Sequence, residues 1–221
     1  MEPLLESEIY RHRFDEGELQ KVREVWEPVC AFLQRYVPEN GTTLDLGAGY
    51  CHFINRIKSA RKIAVDLNED NLVRYAAPGV ECLTASGARL DRLADGSVDA
   101  VFASNVYEHF PSREDVASSV REVKRILKPE GRFIILQPNF RFCMKEYFDF
   151  FDHRLIFTHL GMVEVLKISG FEMERTVPRF LPYTSKSRLP KAPWLVSAYL
   201  SVPLAWKFLG AQMLLVAVKP R

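Results

Sequence analysis

From Thr42 to Gln137 the chain alternates short β-rich runs with helical segments, and few folds accept that order. The runs TTLDL (42–46), KIAVDL (62–67), VECLTA (80–85), SVDAVFAS (97–104) and GRFIILQ (131–137) read as strands. Between them CHFINRIKSA (51–60), EDNLVRYAA (69–77) and REDVASSVREVKRIL (113–127) read as helices; the last carries Val116, Val120, Val123 and Leu127 on one side. Strands that alternate with helices pair in parallel and bury both faces, so the expectation is an α/β fold whose mostly parallel sheet is covered on two sides. A further helix (160–169) closed by Gly170, and strands FEMERTV (171–177) and AQMLLVAVK (211–219), continue the series. Residues 18–36 precede it as an amphipathic helix with Leu19, Val22, Val25, Trp26, Val29, Phe32 and Leu33 at helical spacing. Two stretches break the alternation: 138–157 reads as aromatic and irregular, and 178–210 carries five prolines and a short helical piece.

Composition narrows the function classes. Apolar residues make up 48% of the 221, enough for a sizeable core. The formal charge of +2 gives no global pull toward nucleic acid, and no nucleic-acid partner is expected. From Phe171 onward eight Lys and Arg face two acids, Glu172 and Glu174, so that end reads as a solvated basic face, or one that meets an anionic substrate or a membrane surface. Cys30, Cys51, Cys82 and Cys143 form no CxxC pair and fit no zinc spacing; they read as free thiols of a reducing cytoplasm. The first residues lack the apolar core of a signal peptide, and no apolar run is long enough to span a bilayer without interruption.

Chemistry concentrates after the first strand, at the sheet end where α/β folds bind ligands. LDLGAGY (44–50) sets Asp45 before Gly47, Ala48 and Gly49, small residues that let a backbone turn tightly and a ligand approach. A dinucleotide site prefers a third glycine and a phosphate-friendly turn. Here His52 occupies that third position, and the Asp45 carboxylate would repel a phosphate. A cationic ligand suits it better, such as the sulfonium and amino group of S-adenosylmethionine.

The segment LDLGAGY, with AVDLN (64–68), DGSVDAVFASNVYEHF (95–110) and REVKRILKPEGRFIILQPN (121–139), resembles the ordered motifs of class I S-adenosylmethionine-dependent methyltransferases, and MKEYFDFFDHRLIFTHLGMVEVLKISGFE (144–172) resembles a pattern of their small-molecule, glycan and lipid branch. The resemblance implies a Rossmann-like seven-stranded sheet of order 3-2-1-4-5-7-6, an N-terminal helical lid and an insertion between the last two strands. It implies one domain over 1–221: an arm (1–38), a cofactor-binding core (39–140) and a substrate-side half (141–221). It implies S-adenosyl-L-methionine as cofactor, held by Asp45, Gly47, Ala48, Gly49, Asp66, Leu67 and Asn105, with Tyr10 on the closing arm. Ser86, Gly87 and Ala88 stand where relatives carry an acid for the adenine amino group, a departure from the pattern. Asp66, ending the second strand, suits two ribose hydroxyls, because hydrogen bonds to a charged acceptor are the strong ones.

Methyl transfer needs alignment, and a base when the acceptor is a hydroxyl. No metal is expected, since the cofactor brings its own leaving group. His109 reads as that base or as a residue pinning its loop; His153, beside Asp152, is the second candidate, and His159 caps or packs. Tyr147, Phe148, Phe150 and Phe151 floor a substrate pocket or cover the sheet edge. The basic, Pro-rich insertion (Arg179, Lys186, Arg188, Lys191) suits an anionic acceptor. The reading is therefore a cytoplasmic methyltransferase for a small or carrier-linked acceptor, by O-methylation of a glycan- or lipid-type intermediate. A weak membrane-surface contact and a homodimer through the apolar helix near Trp194 are further expectations. The alternatives are a cofactor-binding protein without catalysis and an NAD-type oxidoreductase.

Overall fold

A computed structural model describes residues 16–183 and 192–221. Tyr10, Arg11 and Arg13 of the expected closing arm, and Lys186, Arg188 and Lys191 of the basic insertion, lie outside the described residues. The elements run in the order α1 (Glu16–Leu33), β1 (Thr42–Leu46), α2 (His52–Arg56), β2 (Arg61–Asp66), α3 (Glu69–Tyr75), β3 (Val80–Thr84) and β4 (Val98–Ser104). A 3-10 turn (Tyr107–His109), α4 (Arg113–Ile126), β5 (Leu127–Pro138), α5 (Phe140–Tyr147) and α6 (His159–Ile168) follow. The chain then forms β6 (Glu172–Val177), α7 (Pro193–Leu200), α8 (Pro203–Leu209) and β7 (Gln212–Val218). The sheet has the expected order β3-β2-β1-β4-β5-β7-β6. β1 to β5 pair in parallel, and β7 enters antiparallel between β5 and β6.

Strand side chains alternate between faces, so each central strand feeds two cores. Val101 and Ala103 of β4, with Phe133 and Ile135 of β5, pack against Val116, Val120 and Val123 of α4. Their neighbours Ala100, Phe102, Ile134 and Leu136 pack on the other face against Val29 and Leu33 of α1 and Phe53 and Ile54 of α2. Central strands buried on both sides read as continuous apolar runs, which is why VFAS and FIIL were legible. β3, at the edge, is largely exposed.

Helix ends follow side-chain chemistry. Ser112 caps α4 by accepting from Asp115 N at 3.1 Å, and Asn68 caps α3 by accepting from Asn71 N at 3.0 Å. Gly170 takes φ +79° just past α6, as expected.

The structure corrects the reading in three places. Residues 138–157 are not wholly irregular, since α5 occupies Phe140–Tyr147. The expected helix over 51–60 is only Cys51-capped α2: Ile57 turns to extended backbone and buries, and the Ser59 hydroxyl donates to Gly41 O at 2.7 Å. The 178–210 stretch holds two short helices, α7 and α8, each with proline in its first turn, where the missing N–H has no intrahelical partner to lose.

Candidate functional site

At the carboxyl ends of β1, β4 and β5 the fold leaves a cavity of about 260 Å³. Its floor is the turn after β1. Gly47 N and Ala48 N both donate to Val65 O, at 2.8 and 3.0 Å, folding the turn back onto β2. Gly47 has φ +68°, and a Cβ there would stand 2.4 Å from Val106 Cγ2. Gly49 has φ +49° with open space beside it. The first glycine is therefore required by a close approach and the second by conformation. Asp66 locks this turn from the next strand, its carboxylate accepting from Gly49 N at 2.8 Å and Asn68 N at 2.9 Å. Burial raises the Asp66 pKa against the opposing pull of those N–H groups.

Asp45 lies at the cavity wall, only 3% exposed. Burial, reinforced by the Asp66 charge, pushes its pKa up to about 8, although the Ile54 backbone N–H donates to it. A buried acid held near neutrality waits for a cation. Three buried polar atoms on the same wall system, His52 Nε2, Ser104 Oγ and Gln212 Oε1, have no protein partner among the described residues. Polar atoms of this kind are rare unless something else satisfies them. His52 stays uncharged, its pKa lowered to about 4 by burial and then by Arg56 and Arg23. Its ring stacks on Tyr50 at 5.7 Å and lies 6.2 Å from Trp26.

The roof is α1. Leu19, Val22, Val25, Trp26 and Val29 point into the cavity from one face of the helix. These positions were legible as an apolar stripe, but the stripe does not say whether it packs on a core or covers a ligand. Pro28 lies inside α1, between the cavity-lining Trp26 and Val29.

The far end is polar. Asn105, just past β4, adopts φ +50°, a conformation uncommon for any residue but glycine and concentrated at functional sites. The turn beyond it presents Glu108 and His109. The Glu108 carbonyl accepts from Arg154 N at 2.8 Å and Leu155 N at 3.1 Å, and this clamp carries His153 to His109. Their ring centroids are 5.1 Å apart. His109 Nδ1 lies 3.1 Å from the Asp152 carbonyl oxygen and 3.4 Å from its carboxylate. Both acceptors favour a proton on Nδ1, which leaves Nε2 with its lone pair. Glu108, His109 and His153 each offer a ligand atom within 4.8 Å of the others.

The site thus gathers Asp45, Gly47, Ala48, Gly49, Asn105, His109 and His153 around one space. Asp66 acts through Gly49, whereas Leu67, Ser86, Gly87 and Ala88 sit outside the cavity walls, with Leu67 58% exposed. His159 is a brace: its Nδ1 meets Asn139 Nδ2 at 2.9 Å, and Asn139 also donates to Pro178 O at 2.8 Å. Of the four aromatics after α5's start, Phe150 lines the cavity and Tyr147 is buried, its hydroxyl donating to Leu155 O. Phe148 and Phe151 face solvent. Trp26, Tyr50 and Gln212 line the cavity and were not singled out as binding residues from the sequence.

Residues 44–135 match the family model described as a methyltransferase domain. Over 118 residues the chain is 32% identical to a malonyl-[acyl-carrier protein] O-methyltransferase of Methylococcus capsulatus, covering 50% of this chain and 42% of that one. It is 37% identical over 100 residues to the methyltransferase AacuQ of Aspergillus aculeatus, covering 42% and 31%. The matches thus span less than half the length of these two curated relatives. Among solved structures, an S-adenosylmethionine-dependent methyltransferase from Archaeoglobus fulgidus superposes with TM-score 0.64 at 19% identity, covering 88% of this chain and 94% of that one. One from Mesorhizobium loti gives 0.59 at 18% identity, covering 84% and 95%.

Proposed function

The chain carries a class I S-adenosylmethionine-dependent methyltransferase domain, and from that premise we propose that it moves a methyl group to an oxygen of a small or carrier-linked acceptor. One observation carries the reading: a single cavity runs from the glycine turn and Asp45 to Glu108, His109 and His153. Bound S-adenosylmethionine supplies an activated methyl carbon with its own leaving sulfur. The residues present fit it. The Gly47–Gly49 turn leaves room for it, Asp45 answers its positive charge, and the orphaned atoms of His52 and Ser104 await polar groups. Trp26 and the rest of the α1 stripe exclude water above it. Asp66 holds the turn in shape and offers its remaining lone pairs to hydroxyls.

The acceptor enters at the polar end. Alignment of the reacting atoms supplies most of the catalysis, about 7–11 kcal/mol at best. The Glu108–His109–His153 group assists loss of the acceptor proton, with Asp152 fixing the imidazole of His109. The O-methyltransferase among the relatives supports an oxygen acceptor, and the basic residues after Phe171 support one that carries phosphate or carboxylate, as glycan- and lipid-linked intermediates do. No helix of the described residues is long and apolar enough to cross a membrane.

Titration calorimetry with S-adenosylmethionine, its demethylated product and NAD tests the cofactor. Tight binding of NAD alone would overturn the proposal. Transfer of labelled methyl from S-adenosylmethionine to a component of a cell extract tests the activity. Binding without any transfer would leave a cofactor-binding protein in its place.

A further inference from the structure

No metal is expected from the sequence, yet the fold assembles one carboxylate and two imidazoles at the polar end of the cavity. We propose that Glu108, His109 and His153 bind a divalent transition-metal ion, with Asp152 as the positioning residue behind His109.

Three observations support the site. First, the three donors converge. One ligand atom from each lies within 4.8 Å of the others, in a group no other described His, Cys, Asp or Glu cluster equals. Ligands at about 2.0–2.2 Å from one ion stand roughly 3.4 Å apart in a tetrahedral arrangement, so the donors close from 4.8 Å or less to about that spacing when an ion binds. Second, the acceptor behind the ligand is in place. A metal-binding histidine usually donates its other ring N–H to a carboxylate or carbonyl. His109 Nδ1 has both, the Asp152 carbonyl at 3.1 Å and its carboxylate at 3.4 Å. That leaves Nε2 as the coordinating atom. Third, the setting suits an ion. Glu108 is 1% exposed, and a carboxylate so deeply buried is stabilised by a cation. The backbone clamp from Glu108 O to Arg154 N and Leu155 N fixes the distance between the two ligand loops before any ion arrives.

Two nitrogens and one carboxylate select the borderline ions, zinc, cobalt, iron(II) or manganese, over magnesium and calcium, which prefer all-oxygen shells. Three protein ligands leave at least one position open toward the cavity. An acceptor hydroxyl or carboxylate oxygen fills it. A hydroxyl bound there gives its proton to water more readily, because the ion stabilises the oxygen's negative charge. The binding site stands on the donors alone; only this consequence rests on the methyl-transfer reading.

The test uses the full chain, freed of metal by dialysis against a chelator, with no cofactor or acceptor added. Zinc is titrated calorimetrically and bound metal is counted by mass spectrometry after desalting. Cobalt is added separately and its visible bands recorded. The expected result is one ion per chain, with cobalt bands of a nitrogen–oxygen site and no thiolate band. His109→Ala, His153→Ala and Glu108→Gln should each weaken zinc binding at least tenfold, and Asp152→Asn by about ten- to a hundredfold. Cys82→Ser, which removes the exposed thiol, should bind as the parent does. If a ligand variant fails to fold, the parent's stoichiometry and cobalt spectrum still decide. Absence of stoichiometric metal, a thiolate-type spectrum, or binding indifferent to all the folded ligand variants would overturn the proposal. Failure of the methyltransferase reading would show separately, as absent S-adenosylmethionine binding.

Discussion

Replacing Asp45 by Asn should make the protein more stable and worse at holding its cofactor. Asp45 is buried at the cavity wall, and burial raises its pKa to about 8 from an ordinary 3.8. The sign follows from proton counting. Between these two values the folded state keeps a proton that the unfolded state has released, so stability falls as pH rises through the window and levels off above about pH 8. Each unit corresponds to about 1.36 kcal/mol. By about pH 7 the part of this displacement already accrued is worth roughly 4 kcal/mol, an upper bound that local relaxation reduces to about 2–4 kcal/mol. Asn cannot ionise, yet its carbonyl oxygen can still accept from the Ile54 N–H. The variant should therefore melt about 5–10 °C higher near neutral pH, given about 2–4 °C per kcal/mol for a chain of this size. The gain should shrink to about 1–2 kcal/mol near pH 5. Melting curves from about pH 5 to pH 8, with and without S-adenosylmethionine, measure both effects. In the parent, cofactor affinity should rise roughly tenfold from about pH 6 to pH 7, as the carboxylate ionises to meet the cation. A variant no more stable than the parent at neutral pH, or one that binds cofactor equally well, would refute the assignment of a proton-bearing Asp45.

Four further outcomes are expected. Asp66→Ala removes the bond to Gly49 N and the charged acceptor for hydroxyls, and calorimetry should find S-adenosylmethionine affinity at least tenfold lower. Gly47→Ala places a Cβ 2.4 Å from Val106 Cγ2 and should cost about 2–4 kcal/mol in urea unfolding. Gly49→Ala meets no neighbour and should cost about 1 kcal/mol from its positive φ alone. Trp26→Ala opens the roof, and cofactor affinity should fall more than folding stability, because the ring is only partly buried by protein.

The sheet was legible because its central strands are apolar on both sides and sit between helices with a clean period. VDAVFAS and FIIL admit no other place. The site's floor was legible for a related reason: Gly47, Gly49 and Asp45 constrain backbone and charge locally. Its roof was not, since the α1 stripe looks the same whether it meets a core or a ligand. Helix α5 escaped notice because its apolar face, Phe140, Cys143 and Tyr147, is only two turns long and is masked by the exposed aromatics Phe142, Phe148 and Phe151 around it. The meeting of His109 with His153 depends on the Glu108 carbonyl pairing with Arg154 and Leu155, a long-range contact between two loops. No local pattern encodes it.

The antiparallel entry of β7 has a bearing on biosynthesis. Residues 212–218 fill the gap between β5 and β6, so during translation the sheet stays split until they leave the ribosome. Until then β6 has no partner, and the β5 edge, with Phe133 to Leu136, offers unpaired amides and carbonyls to any neighbouring nascent chain. A stall or truncation ahead of Gln212 would release a polypeptide with an adhesive edge in place of a closed sheet.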